Sequence, residues 1–354
     1  MSCIAVPVSE TVLLTGAGFT NNFDGFLANK MWGIINRKLD DILHNNNLLE
    51  ENKTHLKNLI DLAKNEFDYE KIFEEVMKGK KHDELKDVIN DIYFKAYKSM
   101  DDNIVRKGYL YGPEVCIDSN ALEEFIRDLA GDQKERGFFF TLNQDISIER
   151  YFRTAVITPC IERINELDGS LKQGFFKNSW FRKVPNKEEL VKQKLDKEGK
   201  WKNEKGYYIK LHGSFNWKGS MDKNTDKNIM VIGTSKLKDI EKEPILKWYL
   251  EIFKCVLSKP NCRLLIIGYG FRDKHINDVI LNSINDLELF LIYPKSPEDF
   301  YKGTLDTKDK KRIWDEAKRR RYYENTLEDI FTRGRKPDEY YELLRYFLGK
   351  KINY

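Results

Sequence analysis

Four short segments hold residues whose types and spacing suit them to chemistry. Gly16-Ala17-Gly18-Phe19-Thr20 directly follows the apolar run Thr11–Leu14. A glycine turn leaving a strand lets backbone N–H groups approach a phosphate at the start of a helix. Thr141-Leu142-Asn143-Gln144-Asp145 closes the apolar run Gly137–Leu142. An Asn and an Asp two residues apart at a strand end can hydrogen-bond a ribose, a carboxamide or a water; they can equally form an Asx turn that caps the next helix. Lys210-Leu211-His212-Gly213-Ser214 places a histidine, the side chain that exchanges protons near neutral pH, where another strand ends. A core histidine satisfied by backbone is the plainer alternative. His44, His55 and His82 lie in polar helical stretches and read as surface groups, which leaves His212 as the histidine placed for catalysis. The fourth segment runs from Leu264 to Asp273, an apolar strand ending in Gly268-Tyr269-Gly270-Phe271 before a helix, where backbone amides can face a second ribose or phosphate.

These segments do not make a dehydrogenase. The dinucleotide fingerprint wants a third glycine where this chain has Asn21, and an acidic residue at a strand end about 20 residues further on. Asp40 and Asp41 fall at that distance but inside INRKLDDILHN, whose spacing is helical.

The elements that must position these residues alternate. After the first strand and its glycine turn, residues 26–132 change to helical spacing, as in Leu56, Leu59, Ile60 and Ala63, and read as a large helical insertion. Gly137–Leu142 is a strand, and Ile148–Ile161 reads as a helix whose apolar positions cover a sheet. Residues 166–206 form a charged insertion, rich in Lys and Glu from Pro185 onward, which reads as a solvated surface segment. Strands follow at Tyr207–Leu211, Ile229–Ile232, Arg263–Ile267 and Leu287–Tyr293, with helices at Pro244–Leu257 and Lys274–Ile284. The alternation predicts an α/β fold, a Rossmann-like, mostly parallel sheet covered by helices, over residues 1–295. Residues 296–354 read as a C-terminal helical extension. Its basic, aromatic stretch Lys310–Tyr323 is an amphipathic packing helix by default, with a nucleic-acid or partner surface as the alternative.

Composition narrows the function classes. The net charge of +4 is a small difference between 61 basic and 57 acidic residues, too small to make nucleic acid the main ligand. Five cysteines without a Cys-x-x-Cys pair exclude a disulfide framework and a four-cysteine zinc ribbon, so no metal and a reducing cytoplasm are expected. No basic and apolar leader opens the sequence, and no window approaches the ~20 apolar residues of a membrane span.

In this order the segments resemble the sirtuin superfamily, and within it the bacterial NAD hydrolases of anti-phage defence more than the protein deacylases. Gly16-Ala17-Gly18-Phe19-Thr20 is similar to the opening Gly-Ala-Gly-x-Ser of sirtuins. Thr141, Asn143 and Asp145 match a Thr-Gln-Asn-Ile-Asp segment, and His212-Gly213 matches the catalytic His-Gly. The two Cys-x-x-Cys pairs of the deacylases are absent, as is their Gly-Ile-Pro-x-Phe-Arg continuation, replaced here by Asn21-Asn22-Phe23-Asp24-Gly25. The resemblance implies cleavage of the nicotinamide–ribose bond of NAD+ as substrate, with Asn143 and His212 as catalytic residues. It further implies an NAD site lined by Gly16, Ala17, Gly18, Thr20, Asn22, Thr141, Asp145, Gly268, Gly270 and Phe271. Asp145 either grips the carboxamide or sets the Asn143 rotamer. Family members of this type act as homo-oligomers or beside a HerA-type ATPase. A zinc-less deacylase, or a non-catalytic module binding NAD or ADP-ribose, remains open at this stage.

Overall fold

The computed structural model describes residues 11–44, 48–64, 68–79, 83–106, 117–129, 137–152, 155–163, 181–191, 206–219, 228–233, 235–295 and 308–352. β1 (Thr11–Thr15) and the short helix α1 (Ala17–Asn21) open the fold. Five helices then follow: α2 (Ala28–Leu43), α3 (Glu50–Ala63), α4 (Tyr69–Lys78), α5 (Asp83–Arg106) and α6 (Ser119–Leu129). β2 (Phe138–Thr141), α7 (Ser147–Tyr151), β3 (Val156–Ile157), β4 (Glu162–Arg163) and β5 (Arg182–Lys183) come next. The chain continues through β6 (Gly206–Lys210), β7 (Gly213–Lys218) and β8 (Asn228–Met230). It then passes α8 (Lys236–Lys242), α9 (Pro244–Leu257), β9 (Cys262–Ile267), α10 (Lys274–Ser283) and β10 (Leu287–Ile292), and after them α11 (Lys308–Arg320) and β11 (Arg321–Tyr323).

Seven of the strands form one sheet in the order β11-β10-β9-β1-β2-β6-β3. Every pairing in it is parallel, as the alternation of strands and helices predicts. A parallel sheet is buried on both faces, and successive side chains of a strand point to opposite faces. Leu13, Phe139, Tyr208, Leu265 and Phe290 accordingly face a layer that includes Ile35, Leu56, Ile72, Tyr93 and Phe125 from α2 to α6. Val12, Leu14, Phe140, Ile209, Leu264 and Ile266 face α9, α10 and α11 through residues such as Phe253, Ile280 and Trp314. Phe140 and Phe253 meet edge to face at 4.8 Å; burying each such side chain contributes about 1.5–3 kcal/mol. The helical insertion is therefore one of the two covering layers of the sheet.

Three expectations change. Ile148–Ile161 is not one helix: α7 ends at Tyr151, and Val156–Ile157 instead adds β3 beside β6. Thr158 precedes Pro159, and the residue before a proline is pushed out of the helical region. Beyond residue 295 the chain is not helical only, since β11 pairs with β10 and extends the sheet. The strand expected at Ile229–Ile232 does not join the parallel sheet: β8 lies in a second, four-stranded sheet, β4-β5-β7-β8. Of the charged insertion 166–206, only residues 181–191 and Gly206 fall among the described residues. In the basic stretch, Ile313, Trp314 and Ala317 are buried against the sheet, the amphipathic packing role expected of it. No helix among the described residues is long and apolar enough to cross a membrane.

Candidate functional site

β1 lies at the centre of the sheet, and the chain leaves it first toward β2 and later returns on its other side at β9. This reversal is the switch point at which open α/β sheets bind ligands, in the crevice beyond the strands' C-terminal ends. The two turns there touch backbone to backbone. Gly16 N–H donates to the Ile267 carbonyl at 3.1 Å and Gly18 N–H to the Gly268 carbonyl at 2.9 Å. A Cβ on Gly16 would stand 2.7 Å from the Gly268 carbonyl oxygen, and one on Gly18 would stand 2.8 Å from Gly268 Cα. Gly268 has φ +64, and a Cβ there would lie 2.2 Å from the Phe19 nitrogen. The glycines thus serve the close approach of two turns, and the amides of Gly16 and Gly18 are already committed. This corrects the reading in which those two amides meet a phosphate. Asn22 is also committed, its side-chain N–H donating to the carbonyls of Gly18 and Phe19 at the end of α1. Ala17 is exposed beside it.

The register of β2 and β6 brings the two expected catalytic residues together. Thr141 pairs with Lys210, so Asn143 and His212 each stand two residues beyond one aligned pair. Both side-chain N–H bonds of Asn143 are used: one to the Gly16 carbonyl at 2.9 Å, the other to Thr20 Oγ1 at 2.7 Å. Thr20 Oγ1 donates in turn to Asp145 Oδ2 at 2.9 Å, while Asp145 Oδ1 accepts the Ser147 N–H at 2.9 Å. Asp145 therefore holds Thr20, and Thr20 holds Asn143, leaving Asn143 Oδ1 as the atom to accept a hydrogen bond from a ligand or water. Thr141 is structural here: its Oγ1 accepts from Thr15 Oγ1 at 2.9 Å and from the Asn143 N–H at 3.1 Å. Beneath the strand end, the fully buried Lys210 ammonium bonds the Asp145 carbonyl and Glu149 Oε1.

His212 is 2 % exposed. Burial pushes its imidazole down to about 3, with the Lys236 ammonium and His275 acting in the same direction and Asp273 and a hydrogen bond to the Leu142 backbone acting against them. It is a neutral ring at physiological pH, not the group titrating near neutrality that the sequence alone implies. Its Nε2 faces His275 Nε2 at 3.1 Å, and burial likewise lowers His275, to about 4. Asp273 stands beside both rings; burial opposes its ionisation, but Lys236 and the two histidines hold the carboxyl down at about 2. Lys236 Nζ lies 2.8 Å from Asp273 Oδ1 and 3.0 Å from Glu70 Oε2 on α4, which ties the helical layer to the site.

The structure gathers Gly16–Thr20, Asn143, Asp145, His212 and Gly268 at one sheet edge. The Phe271 ring is 1 % exposed and packs against Tyr269 at 4.8 Å. Gly270 has open space around a would-be Cβ. His275, Asp273 and Lys236 were missed. The Asp-x-His pair that opens the helix after Gly268–Phe271 is the signal that could have found the first two.

Residues 137–336 match the family model for the SIR2-like domain, more than half of the chain, and the chain belongs to that family. Comparison with curated proteins returns no match. SIR2-like domains belong to the sirtuin superfamily and use NAD+ as substrate, which points to NAD-related activity. β1 and its glycine turn precede the matched segment, yet they pair with strands inside it on both sides.

Proposed function

We propose that this protein hydrolyses NAD+ to nicotinamide and ADP-ribose, releasing one proton, and that it does so in bacterial anti-phage defence by depleting NAD. The observation that carries the reading is the fixed Asn143, oriented by Gly16 and Thr20 next to His212 at the switch point of the sheet. Breaking the nicotinamide–ribose bond builds positive charge on the ribose, so the site must place a water at the anomeric carbon and avoid adding positive charge beside it. Asn143 Oδ1 suits the first task, because it accepts a hydrogen bond from water and never titrates. His212 suits the second: a neutral imidazole accepts a hydrogen bond from a ribose hydroxyl without repelling the cationic nicotinamide ring. In this reading Asp145 acts through Thr20 on the Asn143 rotamer and does not grip the carboxamide.

An uncontrolled NAD hydrolase harms its own cell, so the reading includes action as a homo-oligomer or beside a HerA-type ATPase. The test is nicotinamide release from NAD by the purified chain, alone and with such a partner. Hydrolysis that requires an acyl-lysine peptide would make the protein a deacylase. NAD binding without turnover would make it a binding module.

A further inference from the structure

We propose that His212, His275 and Asp273 form a binding site for one divalent transition-metal ion, zinc being the cation their donors fit, and that occupancy withholds His212 from NAD. The metal site stands on geometry alone; the withholding rests on the hydrolase reading above.

One ligand atom from each of the three residues lies within 4.8 Å of the other two. The two Nε2 atoms are 3.1 Å apart, close to the roughly 3.3 Å that separates two nitrogens bound at ~2.0–2.1 Å to one tetrahedral zinc. Both rings are buried, His212 at 2 % and His275 at 8 % exposure. An imidazole can offer a metal the lone pair of one ring nitrogen while the other nitrogen keeps its proton. The His212 ring also hydrogen-bonds the Leu142 backbone, the kind of outer partner that orients a ligating histidine. Two imidazoles and one carboxylate suit zinc, whereas magnesium and calcium select sites built of oxygen donors. Three protein ligands leave the fourth position of a tetrahedral ion to water.

Without a cation the two facing Nε2 atoms share at most one hydrogen between them. With a cation both lone pairs are used, and His212 Nε2 can no longer accept a ribose hydroxyl. Lys236 competes for the same carboxylate, since its Nζ sits 2.8 Å from Asp273 Oδ1. The site is therefore tuned: the histidines are the firm pair, and the ammonium weakens the third ligand.

The test is calorimetric titration of zinc into full-length, chelator-treated protein, with cobalt(II) as a spectroscopic substitute and circular dichroism to compare folds. The wild type is expected to bind one zinc and to give the visible absorption of tetrahedral cobalt. His275→Ala and the bulkier His275→Gln should each weaken zinc by at least about tenfold. Lys236→Gln should tighten it, because a competing cation is removed. Absence of saturable zinc binding in the wild type, or variants that bind it equally well, would overturn the site. Nicotinamide release by the wild type should fall as zinc saturates and recover on chelation; release undiminished at saturation would overturn the withholding. A protein that binds zinc as described yet never releases nicotinamide, even metal-free, upholds the site and defeats the hydrolase reading alone.

Discussion

Thr20 stands between Asn143 and Asp145, its hydroxyl accepting the amide hydrogen of one at 2.7 Å and donating to the carboxylate of the other at 2.9 Å. The residue that sets the expected catalytic asparagine thus comes from α1, on the far side of a helical layer in sequence. Thr20→Val keeps the shape and deletes both bonds. It is expected to cost about 1–3 kcal/mol of stability, because buried partners lose their hydrogen-bond partner, and to lower nicotinamide release well beyond any loss in NAD affinity. Thr20→Ser should restore most of the rate. Comparing kcat, NAD Kd and Tm for the two variants checks this.

Asn143→Ala and His212→Ala are each expected to lower NAD turnover by about 10²–10⁴-fold, the usual loss when an orienting or proton-handling group is removed. Both should still fold. Asn143→Asp is expected to be inactive as well, since a carboxylate cannot donate to the Gly16 carbonyl that the amide now meets at 2.9 Å. Near-wild-type hydrolysis by any of the three would remove Asn143 or His212 from the chemistry.

Gly268→Ala and Gly270→Ala should separate sharply in stability. The first adds a Cβ 2.2 Å from the Phe19 nitrogen at a residue with φ +64, where the backbone cost alone is about 1–3 kcal/mol. The second adds a methyl with nothing within 4 Å and should leave Tm within a degree or two of wild type. Equal Tm values for the pair would mean that the two glycine turns are not packed against each other as described.

Asp101 gives a pH signature of folding. It is fully buried against Arg150; burial raises its carboxyl to about 6, with the guanidinium pulling the other way. A carboxyl whose folded value lies above its unfolded value binds its proton more tightly in the native state, so its contribution to stability declines as pH rises from about 4 to about 6 and is level above that. Urea unfolding of wild type and Asp101→Asn across this interval is expected to show the wild type losing stability relative to the variant as pH rises. A difference that is flat with pH, or of opposite slope, would refute the raised value.

The parts of the fold that were readable in the sequence are those with one dominant local signal. Leu13–Leu14 and Leu264–Ile267 are apolar, run into a glycine turn and have no competing helical pattern, so strand and turn follow directly, whereas the switch point needs the strand order. Ile148–Ile161 misled because its apolar spacing fits a helix, whereas Pro159 and pairing with Gly206 and Tyr207 decide for a strand. β7 runs Gly-Ser-Phe-Asn-Trp-Lys, too polar to announce itself, and its strand character comes from pairing with β5 and β8. At the site, Asn143 and His212 were legible because they sit at strand ends. His275 was not, because its partner ring is contributed by a distant strand and only the folded sheet brings the two together. The commitment of the Gly16 and Gly18 amides was equally hidden, since it depends on how closely the two turns approach.

The central position of β1 also bears on synthesis. Val12 lies between Phe138 and Leu264, partners far apart along the chain, so β1 lacks one of its two neighbouring strands until β9 has emerged. Contacts of such separation form late, because the loops between them must be closed before the pairing rewards it. Asn143 depends on Gly16 and Thr20, and Gly18 depends on Gly268, so a nascent chain lacks an assembled site however much of its helical layer has formed. Chain order itself thus delays the assembly of this end of the sheet until translation has passed β9.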